Sequence, residues 1–370
     1  MPGAVFSRIA HKLASHSGEL FPLHVGDTWM EPFEGGRMQD LEVARHPGMH
    51  RYTSPQGLPE LIEALTDKVR ARNGIPCEPG SILVTAGATG GLGAAIGMLA
   101  APGDEVLILA PFWPLIRGIV QTFRAQPVEV PFYDRVVDVE GALEAVRERI
   151  TARTVALYVS SPSNPTGRVL PQAWLQALAE LAREHNLWLL SDEVYEDYVF
   201  TGQHHSIAAF APERSFTSFS FSKAYGMAGN RTGYLVGPTQ AIAAARKIST
   251  HTFYSAPTAG QLAGLRALRD GQTWLDAARE SYRRAGWDTA DALGVPRPEG
   301  STFVFLDVRD QLDERGIFGF LEDALDDGLV LAPGPSFGQG YEGHVRVCFT
   351  SAPPQRVAEA ISRLKRRLAR

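Results

Sequence analysis

Ser215-Phe216-Thr217-Ser218-Phe219-Ser220-Phe221-Ser222-Lys223-Ala224-Tyr225-Gly226-Met227-Ala228-Gly229-Asn230-Arg231 is the stretch from which the fold is read. Residues 215–219 read as a short strand, and Lys223 follows it directly among hydroxyl-bearing and small residues. In open α/β sheets, ligands bind outside the carboxyl ends of strands, so an ammonium here points to a reacting amine. The other four lysines, Lys12, Lys68, Lys247 and Lys365, lie in stretches that read as helical with polar neighbours. They are expected to be solvated surface charges.

Outward from this segment, short apolar runs alternate with helical patterns. The expected strands are Ile82–Thr85, Glu105–Leu109, Thr154–Val159, Leu187–Ser191, Ser215–Phe219 and Gly233–Val236, with helices such as Gln172–His185 between them. Runs apolar on both faces are how a parallel sheet covered on both sides reads. Beyond residue 237 a long helical region, Gln240 to about Ala292, precedes a different rhythm. Strands are expected at Thr302–Asp307, Val330–Ala332 and His344–Phe349, and helices at Phe318–Asp326 and Pro354–Leu368. A helix around Phe6–Ser15 and an extended Phe21–Val25 are expected to join this second, smaller α+β unit.

The 370 residues, 44% hydrophobic and 21% charged, are enough for one large or two linked globular domains. A formal charge of -5, with the arginines and lysines scattered, offers no basic field for a nucleic-acid backbone. Cys77 and Cys348 are far apart and form no CxxC, so neither a disulfide framework nor a cysteine metal site is expected. The first fifteen residues lack an uninterrupted apolar run, and no run approaches the ~18 residues needed to span a bilayer. A cytoplasmic protein with a small-molecule partner, and neither nucleic acid nor membrane, is the expectation.

Ser220-Phe221-Ser222-Lys223, followed eight residues later by Arg231 and then by Gly233, resembles the lysine signature of the class I/II aminotransferases, pyridoxal 5′-phosphate (PLP) enzymes of fold type I. Further segments resemble that family in the same chain order: Gly87-Ala88-Thr89, Pro111-Phe112-Trp113, Ser163-Asn164-Pro165-Thr166-Gly167, Asp192-Glu193-Val194-Tyr195 and Val345-Arg346-Val347. The resemblance implies an α/β protein of PLP fold type I. A large domain, residues 41–279, would carry a mostly parallel, seven-stranded-type sheet, and residues 1–40 with 280–370 would form a smaller α+β domain. The implied function is transfer of an amino group between an amino acid and a 2-oxo acid through a Lys223 Schiff base.

Each demand of such chemistry finds a residue. Backbone N–H groups around Ala88, where a helix is expected to start near Gly90, can face a phosphate, with Thr89, Ser220, Ser222 and Arg231 adding donors. Trp113 would stack on the pyridine ring. Asp192, arriving from a buried strand, would meet the pyridinium N–H. Tyr195 and Asn164 would hydrogen-bond the phenolic oxygen. By resemblance Arg346 receives the substrate carboxylate, assisted by Asn164 and Gly26. Tyr52 resembles the family tyrosine that reaches the neighbouring subunit's phosphate, which implies a homodimer. Lys223 would remove the Cα proton as general base and return it one atom away.

Several other readings are weighed and set aside. Val84–Gly93 also resembles the glycine-rich turn of short-chain dehydrogenases, but it lies some eighty residues in, and no tyrosine is followed by lysine at the fourth position. His46 and His50 are separated by Pro47-Gly48, which disfavours a helical metal pair, and no metal is expected. His204-His205 reads as a solvated loop. A PLP-binding transcription regulator would need more residues ahead of Val25. Other outcomes of the same carbanion, β-elimination, decarboxylation or oxidation, remain open at this level.

For the substrate side chain, His251 stands where aspartate-type members carry arginine, ahead of Tyr254-Ser255-Ala256-Pro257, and Thr89 stands where another acid-binding pattern has lysine. Trp29, in Gly26-Asp27-Thr28-Trp29-Met30, is expected near the substrate entrance. Together these favour an apolar or aromatic amino donor, although His251 could meet an acid if protonated.

Overall fold

The computed structural model describes residues 10–369. In chain order the elements are α1 (Ala10–Ser15), α2 (Pro59–Asn73), β1 (Ile82–Thr85), α3 (Gly87–Leu99), β2 (Glu105–Ala110), α4 (Leu115–Thr122), β3 (Gln126–Pro131), α5 (Val139–Arg147), β4 (Thr154–Ser160), α6 (Gln172–Glu184), β5 (Trp188–Asp192), β6 (Ser215–Ser220), α7 (Phe221–Ala224) and β7 (Gly233–Val236). They continue with α8 (Thr239–Thr252), α9 (Thr258–Asp270), α10 (Gln272–Leu293), β8 (Phe303–Asp307), α11 (Gly316–Asp326), β9 (Ala332–Pro333), β10 (His344–Cys348) and α12 (Pro354–Leu368).

Seven strands form one sheet in the order β1-β7-β6-β5-β4-β2-β3. Strands β1, β2, β4, β5, β6 and β7 are buried along nearly their whole length, as strands covered on both faces are. Strands β2 to β6 pair in parallel, whereas β7 runs antiparallel to both β6 and β1. The sheet is thus mostly parallel, as expected. Strand β3 escapes the sequence reading because it carries prolines at both Pro127 and Pro131 and is only partly buried. It sits at the sheet edge, where a missing N–H donor is tolerated.

Three further differences have local causes. Helix α3 begins at Gly87 rather than near Gly90, because Gly87 adopts φ +69 and turns the chain straight from β1 into the helix. The expected single helical region after residue 240 is three helices, broken at Phe253–Pro257 and at Gly271. The expected strand at Val330–Ala332 pairs only through Ala332 and Pro333, since Leu329 bridges to Phe21 instead.

The second sheet, β8-β10-β9, is antiparallel. Its apolar face closes on α11 and α12, with Val345, Val347, Phe320, Leu321, Val357, Ile361 and Leu364 in one cluster. The i, i+3, i+4 spacing of Val357, Ala360, Ile361 and Leu364 gives α12 its buried stripe, and Pro354 occupies a first-turn position where its absent N–H costs nothing. Phe21 and Leu23 join this cluster, and Lys12 on α1 donates to Glu322 O on α11 at 2.7 Å. The expected N-terminal contribution is therefore seen from Ala10 onward, while Phe6–Ile9 falls outside the described residues. Helix α10 joins the cores: Leu275, Ala278 and Tyr282 belong to the cluster under α2 and α9, Ala285 and Ala290 to that under α12. Among the described residues no helix is long and apolar enough to cross a membrane.

Candidate active site

In the parallel part of the sheet the strand order reverses between β2 and β4, because the chain leaves β2 outward to β3 and then returns through β4, β5 and β6. The crevice beyond the carboxyl ends of strands at such a switch point is where ligands of open α/β sheets bind. The ends of β1, β2, β4, β5 and β6 all reach this edge, and β7 begins there, since β1 and β6 both run antiparallel to it.

A cleft of about 160 Å³ opens at this edge, lined by Ala88, Thr89, Trp113, Asn164, Asp192, Val194, Tyr195, Ser220, Ser222, Lys223, Ala228 and Arg231. Ten of these twelve are residues singled out from the sequence. A larger, more open hollow of about 710 Å³ lies around Arg72, Asp197, His204 and Arg279. Its charges already have partners, Arg72 with Asp197 and His204 with Glu193, so the smaller cleft is the candidate site.

Lys223 sits in the single turn α7, where Ser220 caps the helix by accepting from Ser222 N–H at 3.0 Å. The hydroxyl of the fully buried Tyr198 donates to the carbonyls of Lys223 and Ala224, each at 2.8 Å, and holds this turn in place. Lys223 Nζ donates to Gly26 O, carried in by the N-terminal segment. Burial holds the amine below its usual lysine range, helped by the positive charges of Arg346 and Arg231 and opposed by Asp27.

Asp192 ends β5. Burial pushes its carboxyl up to about 6, opposed by hydrogen bonds from Tyr158 Oη, 2.7 Å from Oδ2, and from Val194 N–H. Arg346, in the middle of β10, is buried between the rings of Phe303 and Phe337, at 4.1 and 4.9 Å. It donates to Asn164 Oδ1 at 2.8 Å and to His24 O at 2.6 Å, while its Nε–H has no partner. No carboxylate pairs with it among the described residues. Burial therefore lowers its affinity for its proton, and it also holds the adjacent His24 imidazole down to about 4.

The first turn of α3 forms another wall. A Cβ on Gly87 would come within 2.6 Å of Arg231 Nη2, and one on Gly233 within 2.9 Å of Ala88 N. Arg231 itself adopts the left-handed φ of +51, a conformation that costs a non-glycine residue about 1 kcal/mol or more.

A model of the family described as aminotransferase class I and II matches residues 22–364. This chain belongs to that family. Among curated relatives, the aspartate/prephenate aminotransferase of Thermus thermophilus is 36% identical over 87% of this chain and 84% of its own. The aromatic-amino-acid aminotransferase 2 of Thermococcus litoralis is 31% identical over 86% and 84% respectively. A solved structure of the Thermus thermophilus aspartate aminotransferase with maleate superposes with a TM-score of 0.89, at 33% identity, covering 99% of this chain and 97% of that one. The protein is thus an aminotransferase of PLP fold type I, a PLP-dependent enzyme that transfers amino groups between amino acids and 2-oxo acids.

The residues present fit that cofactor. The cleft pairs a buried carboxylate with a partly buried amine. It adds two serine hydroxyls, a threonine and a guanidinium near a helix N-terminus whose first glycine leaves no Cβ in the way. Sequence reasoning missed Tyr158, Tyr198, His24, Phe303 and Phe337, which support the cleft from behind and carry no local signal, and Val194 and Ala228 in its lining. Gly26 reaches the cleft through Lys223, and Asn164 meets Arg346. Neither Gly26 nor Arg346 lines the cleft itself, and three more of the singled-out residues lie away from it: Tyr52 is 89% exposed, His251 is exposed on α8, and Trp29 packs against the core cluster beside α10.

Two surface assignments are corrected. His204 is mostly buried, with Nε2 2.9 Å from Glu193 Oε2, because Glu193, itself 1% exposed, needs donors and also takes one each from Ser191 and Ser206 at 2.7 Å. Lys68 is buried too, bonded to Glu196 and to Asn73 Oδ1.

Proposed function

We propose that Lys223 is the covalent anchor of PLP and the proton carrier of a transamination whose amino donor has an apolar or aromatic side chain. The observation that carries this reading is a desolvated amine in the cleft together with a buried guanidinium just behind it, bonded to the cleft residue Asn164 and without a carboxylate partner among the described residues. When bound, the cofactor supplies a conjugated ring that accepts the electron pair left at the amino acid's Cα.

The chain's own residues do the rest. Arg346, held from behind by Asn164 and His24 O, binds the α-carboxylate with its free N–H groups and so orients Cα. Lys223 Nζ takes the Cα proton and returns it at the other end of the conjugated system. The lowered proton affinity of this amine keeps a larger share in the free-base form. Asp192 would accept a hydrogen bond from the ring N–H, and Trp113 would cover the ring. The N–H groups opening α3, with Thr89, Ser220, Ser222 and Arg231, would hold the phosphate, and Tyr195 and Asn164 would meet the phenolic oxygen.

The donor class is supported by the charge inventory. The cleft contributes no cation beyond Lys223 and Arg231, and Thr89 stands where an acid-binding lysine would. The relatives named above include both an aspartate/prephenate and an aromatic-amino-acid enzyme, so family alone leaves the donor open. We further propose a cytoplasmic homodimer. Tyr52 and Tyr254 leave two exposed rings 5.1 Å apart, a surface a second copy would cover so that Tyr52 meets its site.

Borohydride reduction of the PLP-loaded protein, digestion and mass spectrometry test the anchor: the cofactor mass is expected on the Lys223 peptide, and its appearance elsewhere refutes the assignment. Initial rates with phenylalanine, tyrosine, leucine, aspartate and glutamate, each with 2-oxoglutarate and pyruvate, test the donor. A higher kcat/KM for aspartate than for phenylalanine would overturn the preference.

A further inference from the structure

Asp192 receives one short hydrogen bond, and it comes from a residue outside the cleft. Tyr158 lies on β4 in register with Leu190 of β5, so its ring shares a sheet face with Leu190 and, two residues on, with Asp192. Two residues of strand advance about 6.6 Å, close to the reach of a tyrosine side chain, so the hydroxyl arrives at the carboxylate end of β5. Its ring lies among apolar side chains, with Leu92, Ile108, Leu190, Phe216 and Leu235 in its cluster and the side chain fully buried, while Ser160 and Tyr133 stand beside its hydroxyl. The Oη lies 2.7 Å from Asp192 Oδ2, whereas the backbone N–H of Val194 reaches Oδ1 at only 3.4 Å.

We propose that Tyr158 is a positioning residue of the reaction, its hydroxyl fixing the rotation and the charged state of the Asp192 carboxylate opposite the cofactor's ring nitrogen. The proposal rests on the reading that Asp192 meets that nitrogen. The hydroxyl is a permanent donor: burial, and then the charge of Asp192, hold the phenol far above its usual range. Burial alone drives Asp192 toward its neutral form, and the Tyr158 bond opposes it. The other titratable groups facing Asp192 cannot substitute. Glu193, which follows it, repels its charge and is taken up by His204. Tyr133 spends its hydroxyl on the Ser160 backbone, and Tyr195 packs edge-on against Phe303. Of the residues paired with Asp192, Ser160 on β4 turns its hydroxyl to Pro162 O and Ser218 on β6 turns its to Ala88 O. Lys223 in the cleft is directed to Gly26 O.

The test uses the full-length enzyme and the variants Tyr158→Phe, Tyr133→Phe and Asp192→Asn. Two quantities are measured across pH: the PLP dissociation constant by equilibrium dialysis, and kcat/KM. Tyr158→Phe keeps the ring and removes one charge-assisted bond, so the acid-side midpoint of both profiles is expected to rise by about one to two pH units, with binding near wild type above it. Tyr133→Phe removes an equally buried hydroxyl that bonds only backbone, and both midpoints are expected to stay. Tyr158→Phe profiles superimposable on wild type, or an equal displacement in Tyr133→Phe, would overturn the proposal. If Asp192→Asn binds PLP with wild-type affinity at every pH, the role of Asp192 itself fails. That outcome is separate from a Tyr158→Phe profile that stays put while Asp192→Asn binds weakly.

Discussion

Replacing Arg346 by lysine keeps the charge and removes the fork. The guanidinium has five N–H groups, of which one on Nη1 goes to Asn164 and one on Nη2 to His24 O, leaving three for a carboxylate. A lysine ammonium has three in all, and meeting both resident acceptors leaves one. One charge-assisted bond to the substrate is thus lost, about 1.5–3 kcal/mol, or a fall in kcat/KM of roughly 10- to 150-fold. Because amino acid and 2-oxo acid carry the same α-carboxylate, KM is expected to rise for both substrates, while PLP content is unchanged. Arg346→Met separates this loss from instability. Methionine relieves a buried cation that has no carboxylate partner, so the unliganded variant is expected to unfold about 1 kcal/mol later than wild type although its turnover is lost. The assays are steady-state kinetics in both directions and denaturant unfolding without substrate. If Arg346→Lys leaves both KM values within about twofold of wild type, the assignment of the carboxylate to Arg346 is refuted.

Lys223→Ala is expected to lower turnover by at least about 10³-fold in single-turnover assays with PLP present, and residual catalysis near wild type would remove its role as proton carrier. Gly87→Ala forces an L-residue into φ +69 and places a Cβ 2.6 Å from Arg231 Nη2. Dialysis should show weaker PLP binding, and unfolding a loss of about 1 kcal/mol. His204 is held above its ordinary pKa by Glu193 despite its burial, so protonation contributes stability fully below about pH 6.5, and this contribution fades as pH rises through the higher folded-state value. The stability difference between wild type and His204→Gln should accordingly be larger at acidic than at alkaline pH, and an equal difference at both ends would contradict the pairing.

The local sequence carried the fold class and most of the cleft for one physical reason. Binding a phosphate, an aromatic ring and an amine at strand ends demands particular residue types immediately after apolar runs. Lys223 after β6, Asp192 at the end of β5, Asn164 after β4 and Gly87-Ala88-Thr89 after β1 are such junctions, visible without knowing which strands are neighbours. Edge strand β3 was hidden because its prolines break the pattern that marks buried strands. The direction of β7 was hidden because a run apolar on both faces looks the same whichever way it points.

The partners of these residues were decided only by the tertiary structure. His204 looked solvated and Lys68 looked like surface charge, yet burying Glu193 and Glu196 requires donors, and these two supply them from 11 and 128 residues away. Arg346 is left without a carboxylate partner among the described residues because β10 buries it between Phe303 and Phe337, and Lys223 meets Gly26 across 197 residues of chain. Tyr158 faces Asp192 only because β4 and β5 pair in this register. What the sequence by itself determined was the set of chemical groups and their place at the ends of strands, since both are local properties of the chain. Desolvation, hydrogen-bond partners and charge balance arise between segments far apart in sequence, so they exist only once the sheet has assembled.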